Sequence, residues 1–239
     1  MNTKTSAKRF YDSASVETSE NVDRWLVCLD GRAISTPLKH RLELPTRALA
    51  QAIADEWQSQ TDVIDLPALT LTRLANVAMD RTPVARAEMI AEISRYAETD
   101  VTCYLSAENS ELRARQDEAW RVWRGWAGRN LDVVLVPVEG IVAAPQPAAS
   151  LNAVSAYAEG LDDYRLTGLS WACSLFGSAV LSLAVDQQVL DATTAMNLSC
   201  IDEDWQAETW GADDEALQAR ASRNRDALSL KTWRDALSS

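Results

Sequence analysis

The densest gathering of chemically capable side chains lies near the C-terminal end, in the run Asp202-Glu203-Asp204-Trp205-Gln206-Ala207-Glu208-Thr209-Trp210-Gly211-Ala212-Asp213-Asp214-Glu215. Seven carboxylates and two tryptophans stand there without one basic residue, which is more than half of the net charge of −12. Three kinds of behaviour suit such a run. Asp202, Asp204 and Glu208 carry the oxygen donors that calcium or magnesium prefer, and would serve a carboxylate- or metal-dependent enzyme centred on Asp202 to Glu208. The DxDxDG-type order of a calcium loop is missing, however. A second possibility is a protein-binding patch, with Trp205 and Trp210 as apolar anchors and the carboxylates meeting basic groups on a partner. The third is a solvated junction between two helices. There Gly211 ends one helix, and Asp213 to Glu215 favour the positive end of the next. Residue types alone leave all three open.

Other chemistry is sparse. His40 is the only histidine, and Lys39 and Arg41 flank it, a poor setting for a general base. It reads as a solvated turn residue. No GxSxG elbow, Walker-type loop or GxGxxG fingerprint occurs. The eight glycines never cluster, as a phosphate-cradling loop would require. Cys28, Cys103, Cys173 and Cys200 are widely separated with no CxxC pair, so they read as buried reduced thiols rather than a zinc site or a disulfide framework. The expectation is no catalytic residue, no metal and no cofactor.

An acidic chain is repelled by phosphate backbones and anionic lipid, which disfavours nucleic-acid and membrane-surface binding and leaves a basic or mixed protein surface as partner. The first residues carry Lys4, Lys8 and Arg9 without an apolar core, unlike a secretory signal. The most apolar stretch, Leu169 to Val185, is interrupted by serines and Gly177 and is shorter than the ~20 residues a bilayer span needs. It reads as one central buried helix.

The elements that must carry these residues fall into two groups. Trp25 to Leu29 is an apolar strand ended by the turn pair Asp30-Gly31, which makes Gly31 fold-critical. Ala33 to Thr36 and Arg41 to Leu44 would complete a small meander. Thr46 then caps a helix whose stripe is Leu49, Ile53 and Trp57. Further helices are expected over Thr70 to Arg81 and from Thr82-Pro83 to about Thr99. From Leu112 the chain reads as helical, with a β-branched interruption at Val133 to Ala144. The later helices are expected over Ser150 to Tyr164, Thr167 to Val185, Asp191 to about Thr209, and Asp213 to about Leu237. Trp120, Trp123 and Trp126 drift around their helix, so core burial with partial exposure is expected. Strands followed by helices, without βαβ alternation, give an α+β chain. The expected domains are an N-terminal α/β domain with antiparallel strands over residues 1–100 and an all-helical domain over 101–239.

Several strings, taken in order, resemble one family: LDGRAISTP (Leu29 to Pro37), LELPTRALAQAIADEWQSQ (Leu42 to Gln60), LTLTRLANVAMDR (Leu69 to Arg81), YAETDVTCYLSAE (Tyr96 to Glu108), a Gln116 to Trp120 segment, EGIVAAPQ (Glu139 to Gln146) and IDEDWQAETWG (Ile201 to Gly211). Together they resemble the ATP-twelve chaperones, assembly factors of the soluble catalytic head of F-type ATP synthase. One departure is Leu69-Thr70, where the family pattern suggests Met-Pro. The resemblance implies a stoichiometric chaperone, not an enzyme. It would bind the unassembled alpha subunit and prevent its aggregation until the beta subunit replaces it. It also implies a small α/β domain followed by a helical one, a fold-critical Trp57, and partner binding by Asp202, Glu203, Trp205, Gln206, Glu208, Trp210 and Gly211. Such a protein would be a monomer when free and would not insert into a membrane. It would be located in an alphaproteobacterial cytoplasm, or in the mitochondrial matrix if eukaryotic; the short N-terminal segment favours the bacterial setting.

Overall fold

The computed structural model describes residues 7–108, 110–142 and 144–238. The leading segment with Lys4, together with Asn109, Ala143 and Ser239, lies outside the described residues. The architecture is mixed α+β, with strands and helices first and then a helical region that is not wholly helical, since two short strands, Tyr104–Leu105 and Val138–Glu139, pair within it. The chain packs as two compact units, Met1–Val84 with Thr232–Ser239, and Ala85–Lys231.

The first unit contains β1 (Ala7–Lys8), β2 (Ala14–Thr18), β3 (Trp25–Leu29), β4 (Arg32–Ala33), β5 (Glu43–Leu44), α1 (Arg47–Gln58), β6 (Val63–Ile64) and α2 (Thr70–Asp80). β3 is central. It pairs antiparallel with β2, Ala14 opposite Leu29 and Thr18 opposite Trp25, and on its other edge with β4 and β5. A strand flanked on both edges and buried from Leu26 to Leu29 needs apolar residues on both faces, which is why Trp25 to Leu29 reads as a continuous run. Asp30 and Gly31 join β3 to β4 with φ of 47° and 75°. Positive φ at both positions is the two-residue hairpin geometry that matches strand twist, and glycine adopts it without strain. The Asp30 carboxylate locks the turn by accepting the backbone N–H of Asp12 and of Ser13 at 3.1 and 2.9 Å.

Thr46 caps α1, accepting the Leu49 N–H at 3.1 Å, and its hydroxyl donates to the Ala236 carbonyl. The next helix is started by a residue from α1. The Glu56 carboxylate accepts the N–H groups of Leu71 and Thr72 at 2.7 and 2.9 Å, filling donors that the beginning of α2 leaves open. Trp57 ties the same helices together: its indole N–H donates to the Thr72 hydroxyl at 3.1 Å, and its carbonyl accepts the Tyr11 hydroxyl at 2.7 Å. His40, placed in a turn by the sequence, is held there by Asp80, whose carboxylate lies 3.0 Å from the ring nitrogen and also accepts the Thr36 hydroxyl.

α3 (Thr82–Glu98) follows α2 directly. The sequence suggests a domain boundary near residue 100, whereas the compact units divide at Val84 and Ala85. The physical reason is the apolar face of α3, where Met89, Ile93 and Ala97 join the core of the helical unit. The last residues, from Thr232, belong with the first unit rather than with the helices before them.

The second unit continues with β7 (Tyr104–Leu105), α4 (Glu111–Leu131), β8 (Val138–Glu139), α5 (Ala148–Glu159), α6 (Asp163–Phe176), α7 (Ala179–Asp186), α8 (Ala192–Ser199), α9 (Ile201–Trp210) and α10 (Asp214–Ala236). The segment expected as one helix from Thr167 to Val185 is two. Gly177, at φ 61°, ends α6, and the Ser178 hydroxyl accepts the Leu181 N–H to begin α7. Asp100, wholly buried, reinforces that start by accepting the Ser178 hydroxyl and the Val180 N–H, each at 2.9 Å. α7 is buried along its length, so it is the axis around which the unit packs. The segment expected from Asp191 to Thr209 is likewise split, at Cys200. Trp120 is fully buried and donates its indole N–H to the Leu198 carbonyl at 2.8 Å. All four cysteines are buried free thiols, and burial pushes Cys103 and Cys173 up to about 12. Thiols so protonated are poor nucleophiles. Among the described residues no helix is long and apolar enough to cross a membrane.

Candidate functional site

The acidic run forms α9 and the turn into α10. Asp202, Glu203 and Asp204 fill the first turn of α9, where negative charge complements the helix dipole. Gly211, at φ 85°, ends the helix and donates its N–H to the Ala207 carbonyl. The Asp213 side chain accepts the Ala216 N–H at 2.7 Å and thereby starts α10. The junction reading of Gly211 and Asp213 therefore describes what the backbone does here.

The carboxylates that look uncompensated in the sequence are answered by residues from distant positions. Glu208 lies 2.7 Å from Arg115 of α4, whose guanidinium also sits 4.8 Å from the centre of the Trp205 ring. Asp202 accepts the Gln116 side-chain amide at 2.7 Å. Asp204 lies 3.1 Å from Arg220 of α10, and Glu203 is gripped by both terminal nitrogens of Arg223. Each neighbourhood moves its titration in a definite direction. Burial pushes the Asp202 carboxyl up, against the opposing hydrogen bond from Gln116. The Arg223 hydrogen bond holds the Glu203 carboxyl below the usual range.

These contacts act on the metal reading directly. Asp202, Asp204 and Glu208 each face a different donor, and among the described residues no three His, Cys, Asp or Glu side chains gather as a metal-ligand group. An enzyme centred on those acids would have to break the contacts that hold α9 in place.

Outward-facing groups remain. Trp210 is 76% exposed, and Gln206 and Gly211 are exposed beside it. Asp214 and Glu215 are also exposed, and their side chains make no hydrogen bond or ion pair among the described residues. Trp210 borders a cleft of about 410 Å³ between α9 and the start of α10, which Leu217 and Ala216 line from the other side. A tryptophan so exposed contrasts with the burial that the residue shows on average. Of the predicted partner-binding residues, the tertiary structure leaves Gln206, Trp210 and Gly211 outward. It half-covers Asp202 and Trp205 and engages Glu203 and Glu208 in ion pairs that stay partly open to solvent.

Two apolar surfaces escape a reading of motifs. Ile141 and Val142 follow β8 and are 94% and 80% exposed. Their signal is present in the sequence as adjacent β-branched residues between Gly140 and Pro145, too short for an element. The other is a groove of about 930 Å³ in the first unit, which has Trp57 and Leu69 in its wall. Its lining comes from segments far apart in sequence, so no local pattern announces it.

Residues 8–128 match the family model described as ATP12 chaperone protein. The chain belongs to the ATP12 chaperone family. Its structure is similar to the crystal structure of Atp12 from Paracoccus denitrificans, with a TM-score of 0.89 and 37% identity over 97% of this chain and 98% of that one. It is similar also to the crystal structure of the Atu1473 protein from Agrobacterium tumefaciens, with a TM-score of 0.90 and 33% identity over 97% and 87% of the two chains. Across 223 residues it is 22% identical to the mitochondrial protein atp12 of Schizosaccharomyces pombe, covering 88% of this chain and 76% of that one. The ATP12 family match begins in the strands of the first unit and runs through most of α4, so it includes Gly31, Trp57, Arg115 and Gln116.

Proposed function

We propose that this protein is an assembly chaperone of the F-type ATP synthase that holds the unassembled alpha subunit of the catalytic head and yields it when the beta subunit arrives. Membership of the ATP12 chaperone family supports the chaperone role. The observation that carries the client-binding surface is Trp210, exposed beside a cleft on a helix whose own charges are largely neutralised from within. Surfaces meant for a neighbouring subunit are partly apolar and aggregate when bare. A chaperone must cover such a surface and still lose to the native partner. One aromatic anchor with a few exposed acids suits that task, because the ring supplies modest affinity and the charge selects and accelerates encounter. Asp214 and Glu215 are the acids free to do so. Glu203 and Glu208 already have arginine partners, so their part is to fix the helix that presents Trp210. The working species is a monomer in the bacterial cytoplasm or the mitochondrial matrix.

The test mixes the purified protein with isolated alpha and beta subunits separately and follows light scattering. The expected result is that alpha stays soluble at equimolar chaperone while beta does not. Trp210→Ala is expected to weaken capture of alpha about tenfold, which is the scale of ~1.4 kcal/mol at one aromatic contact, with an unchanged unfolding midpoint. Protection of beta instead of alpha overturns the choice of client, and full capture by Trp210→Ala removes this surface from the account.

A further inference from the structure

The groove of the first unit stands apart from the Trp210 surface in composition. Its floor is apolar, built from Leu29, Ile34, Trp57 and Leu69. Its rim leaves Phe10 72% and Leu66 52% exposed, which is costly to maintain in water without a purpose. The charged groups in the lining are Arg32, Lys39 and Arg73 against the single acid Asp30, in a chain whose net charge is −12. Asp30 is engaged by the N–H groups of Asp12 and Ser13. Among the described residues the side chains of Arg32, Lys39 and Arg73 make no hydrogen bond or ion pair, and Arg73 alone exerts a coulombic pull on an acid, the Glu56 carboxylate.

We propose that this groove is a second binding site, which takes an extended polypeptide segment that alternates apolar and carboxylate side chains. The apolar floor takes alternate side chains, and the rim cations take the carboxylates. Three cations in the lining separate such a segment from a fatty acid, which offers a tail but only one carboxylate. A phosphate backbone fits neither the apolar floor nor the acidic chain around it. The proposal does not depend on which subunit is the client of the Trp210 surface.

The probe is a fluorescein-labelled synthetic octapeptide of alternating leucine and glutamate, compared with its leucine and lysine counterpart by fluorescence anisotropy on the full chain. The glutamate peptide is expected to bind about tenfold tighter than the lysine peptide, the scale of one or two rim charge contacts. The double variant Arg32→Glu with Lys39→Gln changes two exposed side chains that make no ion pair among the described residues. It is expected to lose that preference or reverse it while its melting temperature stays put. Trp210→Ala is expected to bind the glutamate peptide as wild type does, so a failure here and a failure of the client assignment appear in different variants. Equal affinity for the two peptides, wild-type behaviour of the double variant, or tight binding of laurate with no binding of either peptide would overturn the proposal.

Discussion

The acidic helix of the second unit and the groove of the first handle charge in opposite ways. Along α9 the carboxylates of Glu203, Asp204 and Glu208 each meet an arginine, and the Trp205 ring receives a guanidinium face. In the groove, Arg32, Lys39 and Arg73 ring an apolar floor and meet no acid in an ion pair among the described residues. The part of the chain with the greatest charge in sequence is thus largely spent on its own packing. The part with no notable sequence charge keeps its cations available. Charge density along a chain measures supply, and the fold sets demand.

That contrast is open to attack, first through its tryptophans. Trp57→Ala removes a ring that bridges α1 and α2 and deletes the bond to Thr72. It is expected to cost about 2–3 kcal/mol in urea unfolding, below the range for aromatic truncation in a core because the ring is only partly buried. Trp210→Ala is expected to cost less than about 0.5 kcal/mol, as surface substitutions do. Equal losses would mean that Trp210 is structural rather than available.

A smaller effect separates the arginines. Arg220→Glu places a carboxylate against Asp204 and is expected to cost about 1–2 kcal/mol, since it exchanges a half-exposed attraction for repulsion. Arg32→Glu meets no such partner and should stay within about 0.5 kcal/mol in the same assay. A large loss at Arg32 would show that the groove cations are engaged after all.

The smallest effect lies in the acid limb of stability. Glu203 has its carboxyl held down by Arg223, so its contribution is present above the usual value of about 4.3 and is lost as pH falls through the lowered folded value. Glu203→Gln should therefore flatten the fall of melting temperature below about pH 4.3. Asp202, pushed up by burial, has the opposite sign: its contribution is present below its usual value of about 3.9 and is lost as pH rises through the raised folded value. Asp202→Asn should leave or raise stability at neutral pH. Like slopes from both variants would contradict the paired geometry.

Much of the local structure was legible because its causes are local. The Thr46 cap, the apolar run of β3 and the turn at Asp30-Gly31 depend on residues within a few positions of one another. The breaks at Gly177 and Cys200 were hidden, since the flanking segments keep helical composition across them. β2 was missed for another reason: its pattern is largely exposed, so Ala14 to Thr18 shows no apolar run, and its existence rests on β3 beside it. Trp57 and Gly31 of the first unit carry local signals, the apolar stripe of α1 and the turn after β3. The pairing of Glu208 with Arg115 spans 93 residues and has no local trace.

The chain by itself determined most of the helical segments, the central strand β3, where the turn at Gly31 must fall, and that the acids and tryptophans of α9 share helical structure. It did so because capping, turn geometry and apolar spacing act over a few residues. Only the tertiary structure decided which acids remain available, that Trp210 faces water while Trp120 is buried, and that four separate segments meet to form a cationic apolar groove. Those outcomes depend on distances between residues far apart along the chain, and electrostatic compensation and burial are properties of that arrangement.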